Sequence, residues 1–404
     1  MCRKILVGIC RKTNFGVLQG GFKVIEKKRI LFISDFAGFI GGTEKYIYSV
    51  AKFLKENGFV CDMIYRKKTL KFDIFESVFE NCVDWKNATH LKDIKYDFAT
   101  MHRTEDADFL EYALDNFSPT LFVHDHTYVC PKGYKYYPYK RINCERKYGR
   151  IACGLCSLAV PPRHFANGFS ELVKRSFVEM PKLNSVAMRF KNFVVISNFM
   201  CDELVKNGVD KKRIHLLPAF VESFSQCKKD STKPLKILFA GQHVISKGLH
   251  LLLESVAKMK EDFFLTILGN GSRTPYFKDI AKHLKLNEKI EFVGFVDNPV
   301  VYYQSCDVVV FPSLWQEPFG LVGIEAMANS KCVVGFDVGG VSDWLKNAEN
   351  GIIVKRRDTL AFASALDKLA CDSSLRKRLG KNGYSFVAEN FSKEKFLKSF
   401  LELI

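Results

Sequence analysis

The chain has 404 residues, 47% of them hydrophobic and 26% charged, with 12 prolines, a composition that excludes a disordered or fibrous protein. Its length exceeds what one typical core accommodates and implies two domains. The net charge of +17 is unevenly spread, 32 Lys and Arg against 20 Asp and Glu in residues 1–200 and 29 against 24 in residues 201–404, so the amino-terminal half carries the field that would draw an anionic partner, nucleic acid or an acidic membrane surface.

Residues 1–28 are basic and weakly patterned and read as an extension. Residues 28–35 form an apolar run suited to a buried strand, and Gly41-Gly42-Thr43-Glu44 opens a helix whose Ile47, Val50, Ala51 and Leu54 keep helical spacing. Asn57-Gly58 stops it, and residues 59–65 are strand-like again. The diglycine at this first strand-to-helix turn is either a phosphate-approaching loop or a plain tight turn, since the full G-x-G-x-x-G pattern is absent.

Further strands are expected at 98–102, 120–124 and 193–197. Between the last two, residues 131–150 hold seven Lys or Arg and five Tyr against one Glu, which reads as an exposed basic and aromatic loop. Cys130, Cys144, Cys153 and Cys156 surround it, the last pair as C-x-x-C. They are either the ligands of a structural zinc stapling a coreless loop or four unpaired thiols.

A short helix is expected at 202–207, and the polar residues 223–234 read as a linker. Strands at 236–240, 263–268, 289–293, 306–311 and 332–336 then alternate with helices at 247–260 and beyond, the pattern of a parallel sheet with helices on both faces. Gly269-Asn270-Gly271 follows one of these strands. Helices near 359–371, 374–388 and 393–404 close the chain.

Residues 306–328 carry the chemistry. The uncharged run Val308-Val309-Val310-Phe311 is a buried parallel strand, stopped by Pro312 and Ser313. Glu317-Pro318 reads as a helix entrance, because proline at the first helical position wastes no donor, and the helix is expected to run through Ala328. Strand ends that feed a helix start are where open α/β sheets bind ligands, and free first-turn N–H groups can hold phosphate oxygens. In isolation, Glu317 could be a simple cap and Glu325 a solvated face residue.

No apolar run approaches the roughly 20 residues that span a bilayer, and residues 1–10 lack a signal-peptide core. A cytoplasmic protein is expected, either free or peripheral on the inner membrane face. Thirteen cysteines, scattered through strand-like segments, suggest reduced thiols.

With the motifs in this order, the chain resembles the family 4 glycosyltransferases, retaining enzymes of the α/β GT-B fold with two Rossmann-like domains facing across a cleft. The matching pieces are Gly41-Gly42-x-Glu44, His124-Asp125 with Cys130-Pro131, Val195-Ile196-Ser197-Asn198, Pro218, Gly241 with Lys247-Gly248, Gly269-x-Gly271, Glu317-Pro318-Phe319-Gly320 with Glu325, Gly339-Gly340 and Gly351. The resemblance implies an acceptor domain at 29–222 with an insertion at 128–165, a linker at 223–234, a donor-nucleotide domain at 235–388 and a terminal helix at 389–404 packing back on the first domain.

It also implies roles. Glu325 would bond the donor ribose, and Glu317 would face the donor sugar. The amides of Phe319, Gly320 and Leu321 would hold sugar and phosphate, and Lys247 would neutralise the departing diphosphate. His124 would approach the sugar from the other domain, and Gly41, Gly42, Gly241, Gly269 and Gly271 would admit the donor to the backbone. Gln242 stands where the family carries arginine, with Arg273 as a replacement cation, and Asp343 stands where glutamate is commoner.

The co-substrate implied is a nucleotide-diphosphate sugar, with no cofactor required for catalysis and a possible structural zinc. The acceptor would be a saccharide or lipid-linked saccharide in cell-surface polysaccharide or lipopolysaccharide synthesis, with an anionic membrane surface as a partner. Two alternatives remain: a sugar-nucleotide epimerase of the same fold, and a zinc-stapled nucleic-acid-binding protein, which the absence of a nucleic-acid motif disfavours.

Overall fold

The computed structural model describes residues 28–137, 142–159, 169–225 and 233–404; the basic extension and most of the linker lie outside them. Strands β1 (Arg29–Ala37), β2 (Val60–Lys68), β3 (Cys82–Asp84), β4 (Phe98–Met101) and β5 (Thr120–Val123) lead to a hairpin of β6 (Tyr136–Tyr137) and β7 (Ile142–Asn143), then β8 (Phe193–Val195) and β9 (Ile214–Leu216). Apart from the antiparallel hairpin, these strands form one parallel sheet in the order β3-β2-β1-β4-β5-β8-β9. Both of its faces are apolar and covered. Leu31, Ile33 and Val123 enter one core cluster, and Ile30, Phe32 and Phe122 enter the other.

A second parallel sheet follows: β10 (Leu235–Ala240), β11 (Phe263–Leu268), β12 (Ile290–Gly294), β13 (Val308–Phe311), β14 (Cys332–Phe336) and β15 (Ile352–Val354), in the order β12-β11-β10-β13-β14-β15. Every residue of β13 and β14 is buried, as two-sided burial requires of a central parallel strand. The last helix, Lys393–Leu401, leaves this domain and inserts Phe396 and Phe400 among Phe53, Phe98 and Phe220 of the first domain.

Two helices differ in extent from the sequence expectations. The helix expected at 247–260 is confined to Leu249–Val256 after a 3-10 turn at Ile245–Lys247. Gly248 separates them at φ 74°, where an added Cβ would lie 1.8 Å from the Pro312 carbonyl oxygen, so the two strand-end loops pack backbone to backbone there. The helix expected at 202–207 is longer, Asn198–Lys206, because the Ser197 hydroxyl accepts the Met200 amide at 3.1 Å and caps it a turn earlier.

The largest correction concerns the basic loop, whose first part, residues 131–137, is buried or half-buried; Arg146, Lys147 and Arg150 are exposed as expected, and residues 138–141 lie outside the described residues. Lys135 is 1% exposed and paired with Glu203, and its ammonium also donates to the Arg146 carbonyl at 2.8 Å. Lys132 is buried against the Tyr136 carbonyl and the Tyr137 ring. Tyr134 and Tyr136 belong to the second domain's core cluster. These lysines are spent inside the protein, so they contribute little to a surface field.

Candidate active site

The connections leave β10 on one side of the second sheet and β13 on the other, which opens a crevice at their carboxyl ends. Two loops line it: the turn from Gly241 to Gly248 after β10, and the stretch from Pro312 to Gly320 after β13. Gly269 and Gly271 are explained by packing here. A Cβ on Gly269 would lie 2.0 Å from the Gly241 carbonyl oxygen and one on Gly271 2.6 Å from that of His243. Arg273 is exposed, where the chain enters the helix Thr274–His283.

The helix after β13 begins later than Glu317-Pro318 suggests. Gly320 sits at φ 97° as its N-cap, and the helix is Leu321–Ala328. The left-handed Gly320 separates Phe319 from the first turn; the Phe319 ring is 2% exposed and its carbonyl accepts the Trp344 indole N–H at 2.6 Å. The amides presented by the helix start are therefore those of Leu321 and Val322, while Gly323 N–H already donates to Gly320. Of the expected amide set, Leu321 lies in the first helical turn, Gly320 caps it and Phe319 precedes the cap.

Glu317 is buried at 3% exposure, and its Oε1 accepts from Lys247 and, at 2.6 Å, from the Ser313 hydroxyl. Such a carboxylate is held in one orientation rather than solvated as a surface cap. Lys247 is the accessible partner, its side chain 26% exposed and lying over the Trp315 and Phe311 rings. Glu325 projects into the same cleft. Its Oε2 accepts from Tyr303 at 2.9 Å and its Oε1 from Lys45 of the first domain at 3.0 Å, and this pairing raises the Lys45 pKa.

Lys45 follows the diglycine turn, so the ion pair brings that turn to the cleft. Gly41 and Gly42 are exposed, and a Cβ on Gly42 would meet nothing within 4 Å. Packing therefore does not explain that glycine; open backbone at a cleft mouth does. Other contacts cross nearby: Asn198 N–H donates to Asp343 at 2.6 Å, Lys71 pairs with Asp297 at 2.6 Å, and His126 Nε2 lies 3.2 Å from the Gln316 carbonyl oxygen.

His124 stands at the end of β5, its Nε2 2.8 Å from His102 Nδ1. Burial pushes its pKa down to about 4, the neighbouring Asp125 opposing the shift. His126 is wholly buried and likewise pushed down to about 4, chiefly by burial. A carbonyl only accepts, so His126 donates to Gln316.

Folding thus lowers the His126 pKa from an ordinary 6.5, and the unfolded chain binds the proton first as pH falls. The stability this neutral histidine confers is fully present above pH 6.5 and declines as pH falls to about 4, by about 3 kcal/mol. Urea unfolding at pH 7.0 and 4.5 is expected to show a lower midpoint at 4.5, and His126→Phe to reduce that difference, with the depressed His102 and His124 keeping the rest. An unchanged pH dependence in the variant would remove His126 from the account.

Cys130, Cys144, Cys153 and Cys156 border one small cavity with Lys132, Lys135 and Tyr137. The described cysteines are free thiols, and among the described residues no group of three or more His, Cys, Asp or Glu side chains is arranged to hold a metal. Burial pushes the Cys130 thiol pKa up, with nearby backbone N–H groups and Lys132 opposing the shift.

The structure therefore gathers Glu317, Lys247, Glu325, Leu321, Gly241, Gly41 and Gly42 around one cleft, with His124 facing from β5. Sequence reasoning missed Lys45, Tyr303, Ser313, His102 and His126. Ser313, four residues before Glu317, and Lys45, next to Glu44, had positional signals; His102 and Tyr303 had none.

Two parallel sheets facing across such a cleft define the GT-B fold. The crystal structure of HepE from Anabaena in complex with UDP superposes with a TM-score of 0.68 at 16% identity, covering 93% of this chain and 99% of that one. Residues 221–386, nearly the whole second domain, match the family model of glycosyl transferases group 1.

The chain is 28% identical over 200 residues to the lipopolysaccharide core biosynthesis glycosyltransferase LpsE of Rhizobium meliloti, covering 48% of this chain and 58% of that protein. It is 27% identical over 250 residues to a Campylobacter jejuni N-acetylgalactosaminyltransferase whose name gives a diphospho-undecaprenol-linked acceptor, covering 60% and 66%. The chain spans about half the length of the curated relatives it matches.

Proposed function

We propose that the chain is a family 4, retaining glycosyltransferase that moves a sugar from a nucleotide-diphosphate sugar to a saccharide or lipid-linked acceptor, in cell-surface polysaccharide or lipopolysaccharide synthesis. The observation that carries this is the pair of carboxylates on one strand-loop-helix, Glu317 fixed by Lys247 and Ser313, and Glu325 turned to the first domain's diglycine turn through Lys45. The UDP in the HepE neighbour and the lipid-linked acceptor of the Campylobacter relative agree with it.

In this mechanism the donor ribose takes over Glu325, and the diphosphate draws Lys247 from Glu317 toward the amides of Leu321 and Val322. The bond between the anomeric carbon and the phosphate oxygen breaks with its electrons passing to the diphosphate. Lysine and helix-end dipoles stabilise that charge. The acceptor oxygen bonds the same face, its proton passing to the departing phosphate, so the configuration is retained. Glu317 orients the sugar rather than attacking it.

Exposed Ile151 and Leu155 on the insertion's helix Arg150–Ala159, and Phe169 and Val178 on the helical segment that follows the insertion, together with the basic first half, support a membrane-facing acceptor side. No helix among the described residues is long and apolar enough to cross a membrane.

Calorimetry with UDP, GDP, ADP and their sugars is expected to give one tight nucleotide, and NMR of the transferred product an anomeric configuration equal to the donor's. No binding by any of them, or an inverted product, overturns the reading.

A further inference from the structure

We propose that His102 is a positioning residue that fixes the tautomer of His124, so that His124 offers a bare Nδ1 as hydrogen-bond acceptor to a hydroxyl of the sugar held in the cleft. The inference rests on the reading above, in which His124 faces that sugar.

The protons can be counted along one chain of contacts. Thr100 Oγ1 lies 3.1 Å from the Leu31 carbonyl oxygen, His102 Nε2 lies 3.1 Å from Thr100 Oγ1, and His102 Nδ1 lies 2.8 Å from His124 Nε2. A carbonyl only accepts, so the single hydroxyl hydrogen of Thr100 points at Leu31. Thr100 Oγ1 then accepts from His102, whose hydrogen must be on Nε2. A neutral imidazole carries one hydrogen, so His102 Nδ1 is bare and the 2.8 Å contact takes its hydrogen from His124 Nε2. His124 is left with a bare Nδ1.

The surroundings keep both rings neutral. His102 is 0% exposed, stacked on Phe32 with centroids 5.8 Å apart and packed on Phe122 at 4.9 Å, and burial holds its pKa well below the usual value. Around His124 stand Asp125, which favours a proton, Arg103, which opposes it and lies 3.2 Å from that carboxylate, and the edge-on Tyr46 ring at 5.0 Å. His124 is the partly exposed member of the pair, and its Nδ1 makes no hydrogen bond among the described residues. A ring free to exchange tautomers would present N–H part of the time. Locked, it presents only a lone pair, which accepts from a sugar hydroxyl and repels a phosphate oxygen.

The test is a long-range proton–nitrogen NMR spectrum of the full chain labelled with 15N-histidine. It is expected to show Nε2 protonated and Nδ1 bare in both residues; an Nδ1-protonated His124 overturns the proposal. His102→Leu is expected to mix the two tautomers of His124 and to lower kcat about fivefold to tenfold, the worth of one neutral hydrogen bond, with the donor KM within about twofold. His102→Gln, whose carbonyl can accept from His124 and whose amide can donate to Thr100, is expected to restore both signals. Unchanged tautomer and kcat in His102→Leu sink the idea. If the spectrum is as derived but His124→Ala transfers sugar at the full rate, the sugar contact is wrong and the reading of His124 fails with it, while the donor assignment at Glu317 stands.

Discussion

Glu317→Gln is expected to lower kcat for sugar transfer by about 10²- to 10³-fold, the loss seen when one preorganised polar group of a catalytic site is removed, while leaving the fold and the unfolding midpoint nearly unchanged. The glutamine is isosteric and its carbonyl can still accept from the Ser313 hydroxyl, which lies 2.6 Å from Oε1. Lys247 loses its counter-charge, but its side chain is 26% exposed and can turn to water. The substitution therefore separates chemistry from folding.

Lys247→Ala does not separate them. It strands the Glu317 carboxylate, 4% exposed, with the Ser313 hydroxyl as its remaining donor, and a buried charge deprived of its partner costs about 3–5 kcal/mol unless it takes up a proton. A comparable fall in transfer is expected from both variants, with a lowered urea midpoint at pH 8 in the lysine variant alone. Transfer within tenfold of the parent in Glu317→Gln would remove this carboxylate from the chemistry and with it the donor-site assignment.

How much of this was legible in the sequence follows from how local each signal is. The strand Val308–Phe311 and its neighbours announce themselves because two-sided burial writes an unbroken apolar run, and the two glutamates are recognisable from their spacing after it. The start of the following helix was misplaced because proline is permitted at a first helical turn but does not compel one; the left-handed Gly320, 2.8 Å from the Phe311 ring in terms of an added Cβ, decides instead.

Burial of residues 131–137, the first part of the basic loop, was illegible for a different reason. Lys135 is paid for by Glu203, 68 residues away, and Tyr134 and Tyr136 by the core of the other domain. No window of sequence around 131–150 holds those partners. The same holds for His102, whose role depends on β4 and β5 lying side by side.

Glu325→Ala is expected to weaken binding of the preferred ribonucleoside diphosphate about tenfold to a hundredfold and to leave its 2′,3′-dideoxy analogue within about twofold of the parent. The carboxylate has both oxygens engaged before any donor arrives, Oε2 by Tyr303 at 2.9 Å and Oε1 by Lys45 at 3.0 Å. An ionised carboxylate has about four acceptor positions, so Tyr303, nearly fully buried, can stay while the ribose hydroxyls displace Lys45. A hydrogen bond to a charged group contributes about 1.5–3 kcal/mol, and each 1.4 kcal/mol is tenfold in affinity.

Release of Lys45 subtracts little, because its side chain is half exposed and its pairing is screened by solvent. Freed, the ammonium stays beside Gly41 and Gly42, on the side from which the first domain would meet the diphosphate. The dideoxy analogue keeps base and phosphates and lacks only the hydroxyls, so a misfolded or merely destabilised variant would lose both ligands together. Equal losses for the two nucleotides would mean that Glu325 supports the site without touching the ribose, and that the Lys45 contact is a domain latch with no part in donor recognition.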